Sequence, residues 1–577
     1  MKILFGIPKQ IKMGVLSLDS YIRKTFPRAI KYYKKGQRVS QKMVCLALDA
    51  NPFVYAACAK AFEMGDYKTM LSVNTLSYEE KIKLSFQLTW EEIQTVVGMI
   101  DTEQVYIAFD SSVPVSKQME QRRRRYIRGP TPEDEFDLTN LSAGTQYMYD
   151  LCSFIQFKIQ EVDGWGCKKV IFSSVNSAGE GEAKCIRYLR TFPPKTPVAI
   201  YGPDADLFQL ALGSAQNVFV FKQDYSTNGT TDPQYYTVCM QPIRNEINNW
   251  TKSRNMARPV NFVDSIKSFI LLCNILGNDF NRRIEAFELF IEGIDNLLYY
   301  YHKLRFSIIS DGRLDRKCLS NLLRLLADDE PMLLSQKVKY PYPLLEKYLS
   351  SRDDDKKPTQ QTNPSQQGRQ EQPNRQSQPT QVNNHRTNSR FDFEGFRKEY
   401  YKEWVGIESE QDIQSMCCNY LDTIWWTFQY YTSFKGVPNW THYYKYHYPP
   451  FCIDLYKCSL TWQIPKWEET HPRRPFEQLV SVLPPNRKGL LPKEHRHFFK
   501  DESLSHLFPD LKDIVKNVQG RNEKFETIYE IPFFDATITI EDNNKINRLT
   551  IDRVFIPSTE TFKLVTKWGK CKTHLEG

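Results

Sequence analysis

Gly179-Glu180-Gly181-Glu182-Ala183-Lys184 and, about twenty residues later, Gly202-Pro203-Asp204-Ala205-Asp206-Leu207 are the stretches that decide the fold of this chain. Each follows a short apolar run, Val170-Ile171-Phe172 before the first and Val198-Ala199-Ile200-Tyr201 before the second. Four carboxylates held close together repel one another and raise one another's pKa, so stability alone does not explain them. The pattern predicts two strands whose ends deliver acids to a site for divalent metal.

The same pattern of an apolar run followed by an acid occurs twice earlier in the chain. Residues 44–48 lead to Asp49, and residues 105–109 lead to Asp110. Such runs are typical of strands buried in a parallel sheet. Helical patterns over 78–100 and 145–160, the second with Thr145 as N-cap, lie between the strands. The alternation predicts an α/β domain with a mainly parallel mixed sheet, whose ligands bind at the carboxyl ends of the strands.

Beyond Asp206 the chain is expected to be mostly helical to about residue 350, with a helix over 262–276 that leads to Asp279. Residues 351–390 are rich in Gln, Asn, Pro and Ser and predict a disordered linker. The following region, to residue 474, is dense in aromatic residues, which favours core packing over an exposed stacking surface. Alternating runs such as 536–540 and 549–555 predict a β-rich segment over 475–577.

The composition is ordinary for a soluble protein, with 577 residues, 41% hydrophobic and 25% charged. The formal charge of +9 is compatible with a polyanionic partner without requiring one. The thirteen cysteines show no CxxC spacing, which argues against a zinc knuckle or a disulfide framework and favours a reducing compartment. Without a bilayer-spanning apolar run or a secretory signal, we expect a cytoplasmic or nuclear protein that does not contact membranes.

Seven acids in this pattern are candidate metal ligands. A single Asp after a strand is usually an N-cap or turn residue, but the recurrence within one α/β segment argues for a site. Two Mg²⁺ ions roughly 3.5–4 Å apart can hold the attacking water and the leaving oxygen of a phosphodiester. The candidates are Asp49, Asp110, Glu180, Glu182, Asp204, Asp206 and Asp279.

A basic stretch follows Asp110. If it is helical, Lys117, Gln121, Arg124 and Arg125 share one face. Arginine binds phosphate bidentately, so this face suits a terminal phosphate. A solvated basic helix or a nuclear-import signal is the alternative, but the neighbouring acids favour the phosphate interpretation.

In order and spacing, these motifs resemble the Xrn family of 5'-to-3' exoribonucleases. The resemblance extends through Met13-Gly14-Val15, Asn51, Gly144-Thr145, Tyr430-Tyr431, the run from Tyr443 to Pro449 and Pro475-Phe476-Glu477. It implies a PIN/FEN-like nuclease core with an aromatic-rich helical second region. It also implies a processive enzyme that uses two Mg²⁺ ions, or Mn²⁺, to remove nucleotides from single-stranded RNA with a 5'-monophosphate, as in decay of decapped mRNA.

By residue match, the seven acids would be both the catalytic residues and the metal ligands. Lys117, Gln121, Arg124 and Arg125 would bind the 5'-phosphate, and Tyr55 and Trp426 would stack on bases. The sequence departs from the family at Tyr55, which stands where a histidine is usual, at Asn281-Arg282-Arg283 in place of Leu-Pro-His, and at His442 in place of tryptophan.

The resemblance divides the chain into an N-terminal extension over 1–12, a catalytic domain over 13–350, the linker, a second conserved region over 391–474 and the C-terminal segment. A compact monomeric member, similar to those of large cytoplasmic DNA viruses, is expected. Two alternatives stay open. A structure-specific 5' flap or DNA exonuclease would use similar acids, and an RNA-binding relative with weak or no activity would explain Tyr55.

Overall fold

The computed structural model describes residues 18–64, 76–129, 131–132, 135–161, 165, 169–224, 234–252, 256–287, 290–337, 340–349, 391–522, 526–557 and 562–568. The N-terminal extension and the linker expected from the sequence lie outside these residues. In the described part of the chain, no helix is long and apolar enough to cross a membrane.

Thirteen strands are present in the described residues. They are β1 (Ile30–Lys34), β2 (Val39–Asp49), β3 (Ile100–Ala108), β4 (Lys169–Ser173), β5 (Pro197–Tyr201), β6 (Asn217–Asp224), β7 (Gln234–Cys239), β8 (Ile309–Ser310), β9 (Arg313–Leu314), β10 (Lys516–Asn517), β11 (Ile528–Tyr529), β12 (Asp552–Pro557) and β13 (Phe562–Trp568).

Sixteen α-helices accompany them in the same residues. They are α1 (Leu18–Thr25), α2 (Asn51–Ala61), α3 (Tyr78–Gly98), α4 (Val115–Ile127), α5 (Gln146–Glu161), α6 (Gly181–Leu189), α7 (Asp206–Leu212), α8 (Met240–Thr251), α9 (Phe262–Ile275), α10 (Phe290–His302), α11 (Arg316–Ser335), α12 (Pro343–Glu346), α13 (Phe393–Glu399), α14 (Glu410–Thr432), α15 (Cys452–Ser459) and α16 (Pro475–Val482).

Nine strands form one sheet in the order β1-β7-β6-β5-β2-β3-β4-β12-β13. The five central strands, from β6 to β4, are parallel, whereas the strands at both edges pair antiparallel. The expected α/β class and mixed sheet are confirmed, and the sheet is parallel at its centre. Residues 45–48 of β2 are completely buried, as a strand covered on both faces requires.

Helices cover both faces of the sheet because alternate residues of each central strand point to opposite sides. On one face, Leu46 and Leu48 pack with Trp90 of α3 and Ile155 of α5. On the other face, Ala47 belongs to a larger cluster that includes α6 to α9 and the aromatic residues of α14. Each large side chain buried in this way contributes about 1.5–3 kcal/mol.

The aromatic-rich region packs directly on the α/β domain. Helix α14 lies against α9, and its Tyr420, Trp426 and Tyr431 are completely buried, which confirms the core-packing interpretation. The C-terminal segment also joins the main sheet, since β12 pairs with β4 and Asp552 accepts a hydrogen bond of 2.7 Å from Tyr106. The aromatic-rich region and the C-terminal segment therefore share a hydrophobic core with the α/β domain.

Three details of the secondary structure differ from the expectation. Strands β6 and β7 lie in the segment expected to be mostly helical, because β6 pairs with β5 and continues the sheet. Residues 536–540 do not form a strand, and the Ile540 N–H donates to the Glu477 side chain instead. Much of 485–513 consists of short 3-10 turns, so the C-terminal segment is less β-rich than expected.

Glu330 in α11 lies at the contact between the first region and helix α15 of the second, aromatic-rich region, and its ionisation provides a test of that contact. Its carboxyl group is completely buried and accepts the N–H groups of Cys452 and Ile453, at 2.8 and 3.1 Å, where α15 begins. Burial raises the pKa of Glu330 to about 8 although these hydrogen bonds lower it. The ordinary pKa of a glutamate side chain is about 4.5. Between about pH 4.5 and pH 8 the folded protein therefore keeps a proton on Glu330 that the unfolded chain has released.

We expect Glu330 to reduce stability as pH rises from about 4.5 through 8, by up to about 5 kcal/mol. Glu330→Gln keeps one acceptor and cannot ionise, so its Tm should fall less between pH 5 and pH 9 than that of the wild type. Thermal unfolding at both pH values measures this difference, with Glu346→Gln on an exposed face as the control. An identical pH dependence in wild type and Glu330→Gln would contradict the assignment.

Candidate active site

The parallel strands β5, β2, β3 and β4 end at the same edge of the sheet. Asp49 pairs with Ala108, Ala108 pairs with Ser173, and Leu48 pairs with Tyr201, so the four carboxyl ends are level. The acids lie at these ends: Asp49 is the last residue of β2, Asp110 follows β3, Glu180 and Glu182 lie at the start of α6, and Asp204 and Asp206 lie before and at the start of α7. This confirms the predicted position of the acids relative to the strands.

Asp110 connects the ends of two helices at this edge. One of its carboxylate oxygens accepts the Gly181 N–H at 2.6 Å, and the other accepts the Asn51 side-chain amide at 2.9 Å. A Cβ atom on Gly181 would lie 2.3 Å from Asp49 Oδ1, so a side chain there would collide with the acid. Glycine at this position therefore allows α6 to approach β2 closely.

Lys117 of α4 lies among the acids. Its Nζ is 2.8 Å from both Glu180 Oε2 and Asp279 Oδ2, and the side chain is buried. Burial alone would lower the pKa of Lys117, but the charges of Asp279 and Glu180 outweigh it and hold the pKa well above its usual value. Sequence analysis grouped Lys117 with the basic face, whereas the structure shows that it also contacts two acids.

The acids carry more negative charge than one lysine can balance. Burial raises the pKa values of Asp49, Glu180, Glu182 and Asp204. Burial, followed by the charge of Asp279, raises the pKa of Asp206 to about 7. Such raised pKa values are typical of buried carboxylates that lie close to one another.

The oxygen donors fit a hard divalent cation. Asp49 Oδ1 and Glu182 Oε2 are buried and have no hydrogen-bond partner among the described residues. Mg²⁺ prefers such carboxylate oxygens. In the described ranges, however, no three acids, histidines or cysteines stand in a ready-made coordination geometry. The chemistry of the donors therefore suits Mg²⁺, and binding requires the side chains around Lys117 to rearrange.

Two tyrosines of α14 complete the surroundings of the acids, and sequence analysis assigned them no role. The Tyr430 hydroxyl donates to Glu180 Oε1 at 3.2 Å, and the Tyr431 hydroxyl donates to Asp206 Oδ2 at 3.0 Å. Their only signal in the sequence was the adjacent pair within the aromatic-rich region. The second region thus supplies hydrogen bonds that orient the acids of the first.

The basic face of α4 continues from Lys117 to Gln121, Arg124 and Arg125. Gln121 is buried, and its Oε1 has no hydrogen-bond partner in the described structure. Arg125 donates to Ser142 Oγ at 2.6 Å and to the Gln121 carbonyl at 2.9 Å. Burial and the charges of Arg124 and Arg128 lower the pKa of Arg125 to about 9. Arg125 therefore carries positive charge that an anion would stabilise, whereas Arg124 lies 3.9 Å from Glu120 and Lys117 contacts two acids.

The two residues expected to stack on bases differ in accessibility. Tyr55 of α2 is half-buried and lies near Arg128. Trp426 is completely buried; its Nε1 donates to the Asn439 carbonyl at 2.8 Å, and its ring stacks on Tyr430 at 5.2 Å. A base could reach Trp426 only if its neighbours moved, so its stacking role stays a prediction.

The sequence matches two models of one protein family. The family model described as "XRN 5'-3' exonuclease N-terminus" matches residues 13–131 and 127–224, and "Xrn1 helical domain" matches residues 335–554. The "5'-3' exoribonuclease 1" of Homo sapiens is 24% identical over 504 residues, covering 76% of this chain and 29% of the human protein. The "5'-3' exoribonuclease 2" of Debaryomyces hansenii is 24% identical over 591 residues, covering 77% and 59%.

The chain thus spans less than two thirds of the length of these curated relatives. A solved structure, the catalytic core of Rad2 in complex with DNA substrate, covers 50% of this chain and 69% of that chain. Its 13% identity and TM-score of 0.28 are too low to support a conclusion. The two family models, by contrast, match both regions in the expected order, and six of the seven acids lie within the first match. The chain belongs to the Xrn family of 5'-to-3' exonucleases.

Proposed function

We propose that this chain is a Mg²⁺-dependent, processive 5'-to-3' exoribonuclease that hydrolyses single-stranded RNA with a 5'-monophosphate, such as decapped mRNA. The observation that carries the proposal is the position of Lys117 on α4: its Nζ contacts the buried acids Glu180 and Asp279, and the same helix carries Arg125, whose hydrogen bonds go to neutral groups. The acids suit metal-assisted cleavage, and the basic face suits a terminal phosphate. The names of the relatives, 5'-3' exoribonucleases 1 and 2, support the same activity.

The seven acids would hold two Mg²⁺ ions, or Mn²⁺, which when bound supply positive charge at the scissile phosphate. The chain itself orients these acids: the Gly181 N–H and Asn51 hold Asp110, and Tyr430 and Tyr431 donate to Glu180 and Asp206. Burial excludes water and strengthens each of these interactions.

The 5' end of the RNA would be bound by Gln121, Arg124 and Arg125. Arg125 is half-buried, and among the described residues its guanidinium donates to neutral groups, Ser142 and the Gln121 carbonyl, so it can attract an anion without first breaking an ion pair. A monophosphate would fill this site, whereas the additional phosphates of a triphosphate would have to enter a buried environment. Tyr55, close to Arg128, would lie beside the first base.

A time course on RNAs with defined 5' ends tests the activity. We expect mononucleotides to be released in order from the 5' end in Mg²⁺, and no release in EDTA. The same oligonucleotide made of DNA should be degraded much more slowly. Release from the 3' end, internal cleavage or an equal rate on DNA would contradict the proposed function.

A further inference from the structure

A cavity of about 190 Å³ lies beside the Asp279 loop, on the side of α4 that carries Glu120 and Arg123. Its walls come from α4, residues 276–283, the second region and the C-terminal segment. Five arginines and four acidic side chains line it. Because Asp279 is also one of its lining residues, the cavity adjoins the acids of the candidate active site.

Four of the five arginines already have partners. Arg123 binds Glu120 through two hydrogen bonds of 2.8 and 2.7 Å, Arg283 pairs with Glu526, and Arg521 pairs with Glu285. The fourth, Arg122, donates to backbone carbonyls, among them those of Ser481 and Pro532. Each of the four acids also has a cationic partner. Glu120, Glu526 and Glu285 pair with the arginines named above, and Asp279 contacts Lys117.

Arg282 is the exception. Within the described residues its half-buried guanidinium has neither an ion pair nor a hydrogen bond, and only its backbone carbonyl is used, as acceptor for the Tyr420 hydroxyl. Burial and the charge of Arg123 lower the pKa of Arg282 to about 10. The cavity therefore contains a cation whose own surroundings disfavour its charge and which an incoming anion would stabilise.

The turn that presents Arg282 is tightly constrained. Gly277 has φ +83°, and a Cβ atom there would lie 2.6 Å from the Arg283 nitrogen. The Asn278 N–H donates to the Asn281 carbonyl at 3.0 Å and closes the turn. The loop from Gly277 to Arg283 thus holds Asp279 and Arg282 in one compact unit, and Arg282 belongs to the segment that departs from the family pattern.

The opposite wall is aromatic. His447 stacks on Phe533 with ring centroids 4.4 Å apart, and Tyr443 packs on the same phenylalanine at 5.7 Å. Burial and the neighbouring Arg282 lower the pKa of His447 to about 3, so this wall is neutral. The volume is below the roughly 300 Å³ of a pocket that encloses a whole small ligand. It suits a phosphate with part of its sugar.

We propose that this cavity binds a phosphate group of a nucleotide through the Arg282 guanidinium, as a second phosphate site distinct from the one on the Arg125 face of α4. The phosphate belongs either to the RNA chain or to a released mononucleotide, which carry the same chemistry. Arginine suits both because its planar fork binds phosphate oxygens bidentately. The inference rests on the proposed function, since that reaction brings nucleotides to Asp279.

Binding experiments in EDTA test the site without catalysis. Arg282→Gln is compared with Arg324→Gln, which removes an exposed arginine paired with Asp328 on α11. If the site holds an RNA phosphate, Arg282→Gln weakens binding of a labelled 5'-monophosphate RNA about tenfold. The slope of log affinity against log salt also falls by about 0.7, as expected for one lost contact to single-stranded nucleic acid. Arg324→Gln leaves both values unchanged.

Adenosine 5'-monophosphate is the probe for the second source. If the site holds a released mononucleotide, Arg282→Gln weakens its binding about tenfold, measured by calorimetry, while RNA affinity and salt slope stay unchanged. The affinity of Arg125→Gln for the same nucleotide is also measured. A loss of affinity in this variant shows that nucleotide binds at the Arg125 face of α4. Wild-type behaviour of Arg282→Gln with both probes, or nucleotide binding that depends on Arg125 alone, overturns the proposal.

Two further measurements separate the possible failures. Thermal unfolding shows whether Arg282→Gln is folded, and Arg282→Lys, which keeps the charge but loses the fork, should bind with intermediate affinity. RNA degradation by the wild type in Mg²⁺ tests the proposed function independently. Its absence would contradict that function even if Arg282→Gln changed binding, whereas normal degradation with unchanged Arg282→Gln binding would contradict only the second phosphate site.

Discussion

Glu182→Gln should abolish degradation of 5'-monophosphate RNA in Mg²⁺ while RNA binding survives. Loss of a group that merely orients a metal ligand typically costs 10- to 100-fold, so loss of a proposed ligand should cost at least about a hundredfold. Asp204→Ala should have the same effect. A time course with labelled RNA measures the rate, and a binding assay in EDTA measures the affinity.

Stability distinguishes this result from misfolding. Glu182 is buried, its Oε2 has no partner in the described structure, and burial followed by the charge of Asp206 raises its pKa well above the usual value. Removing this charge should therefore raise the Tm of Glu182→Gln in EDTA. Mg²⁺ should raise the Tm of the wild type more than that of the variant, because bound metal stabilises only a chain that can hold it.

A matched control lies on the same sheet. Glu103 is part of β3 but lies near its other end, where it is partly exposed and 3.8 Å from Lys42. Glu103→Gln should degrade RNA at the wild-type rate and respond normally to Mg²⁺. Near-normal activity of Glu182→Gln or Asp204→Ala would show that the metal assignment is wrong.

The second large effect concerns the 5' end of the substrate. The wild type should degrade 5'-monophosphate RNA far faster than 5'-triphosphate or 5'-hydroxyl RNA, because only the monophosphate matches the uncompensated charge of the Arg125 face. Arg125→Gln should reduce kcat/KM for monophosphate RNA about 10- to 100-fold, the effect of one charged hydrogen-bonding group. Its rate on 5'-hydroxyl RNA should change little.

Comparing the three RNAs side by side, with each variant, isolates the contribution of the phosphate. Arg324→Gln, which removes a distant exposed positive charge, should keep the wild-type preference. Equal rates on all three RNAs would eliminate the proposed 5'-phosphate site, although the metal site could still be correct. A uniform loss for Arg125→Gln on every substrate would indicate a structural role for Arg125.

Local sequence patterns predicted much of the fold. Helix α3 was expected over 78–100 and is observed over Tyr78–Gly98, and α9 ends one residue before its expected end. Thr145 caps α5 as expected, since its hydroxyl accepts the Met148 N–H at 3.4 Å. These elements were predictable because apolar periodicity and capping depend on residues within a few positions of one another.

Patterns that depend on distant partners were predicted poorly. Residues 217–224 form β6 because β5 offers an open edge, and residues 536–540 stay irregular because they lack a ladder partner. Aromatic density did predict core packing around Trp426, whereas the neighbours that bury it depend on how the two regions pack. Strand formation requires a neighbouring strand, which a local pattern does not reveal.

The sequence alone determined that acids follow the ends of parallel strands and that a basic face begins shortly after Asp110. Only the tertiary structure decided that Lys117 bridges Glu180 and Asp279 and that Tyr430 and Tyr431 donate to the acids. It also decided that Arg282 lines a cavity in which its guanidinium has no ion pair or hydrogen bond with another described residue. The physical reason is the distance along the chain between the residues that determine each feature. Strand ends and helix faces follow from neighbouring residues, whereas charge pairing depends on which distant segments pack together.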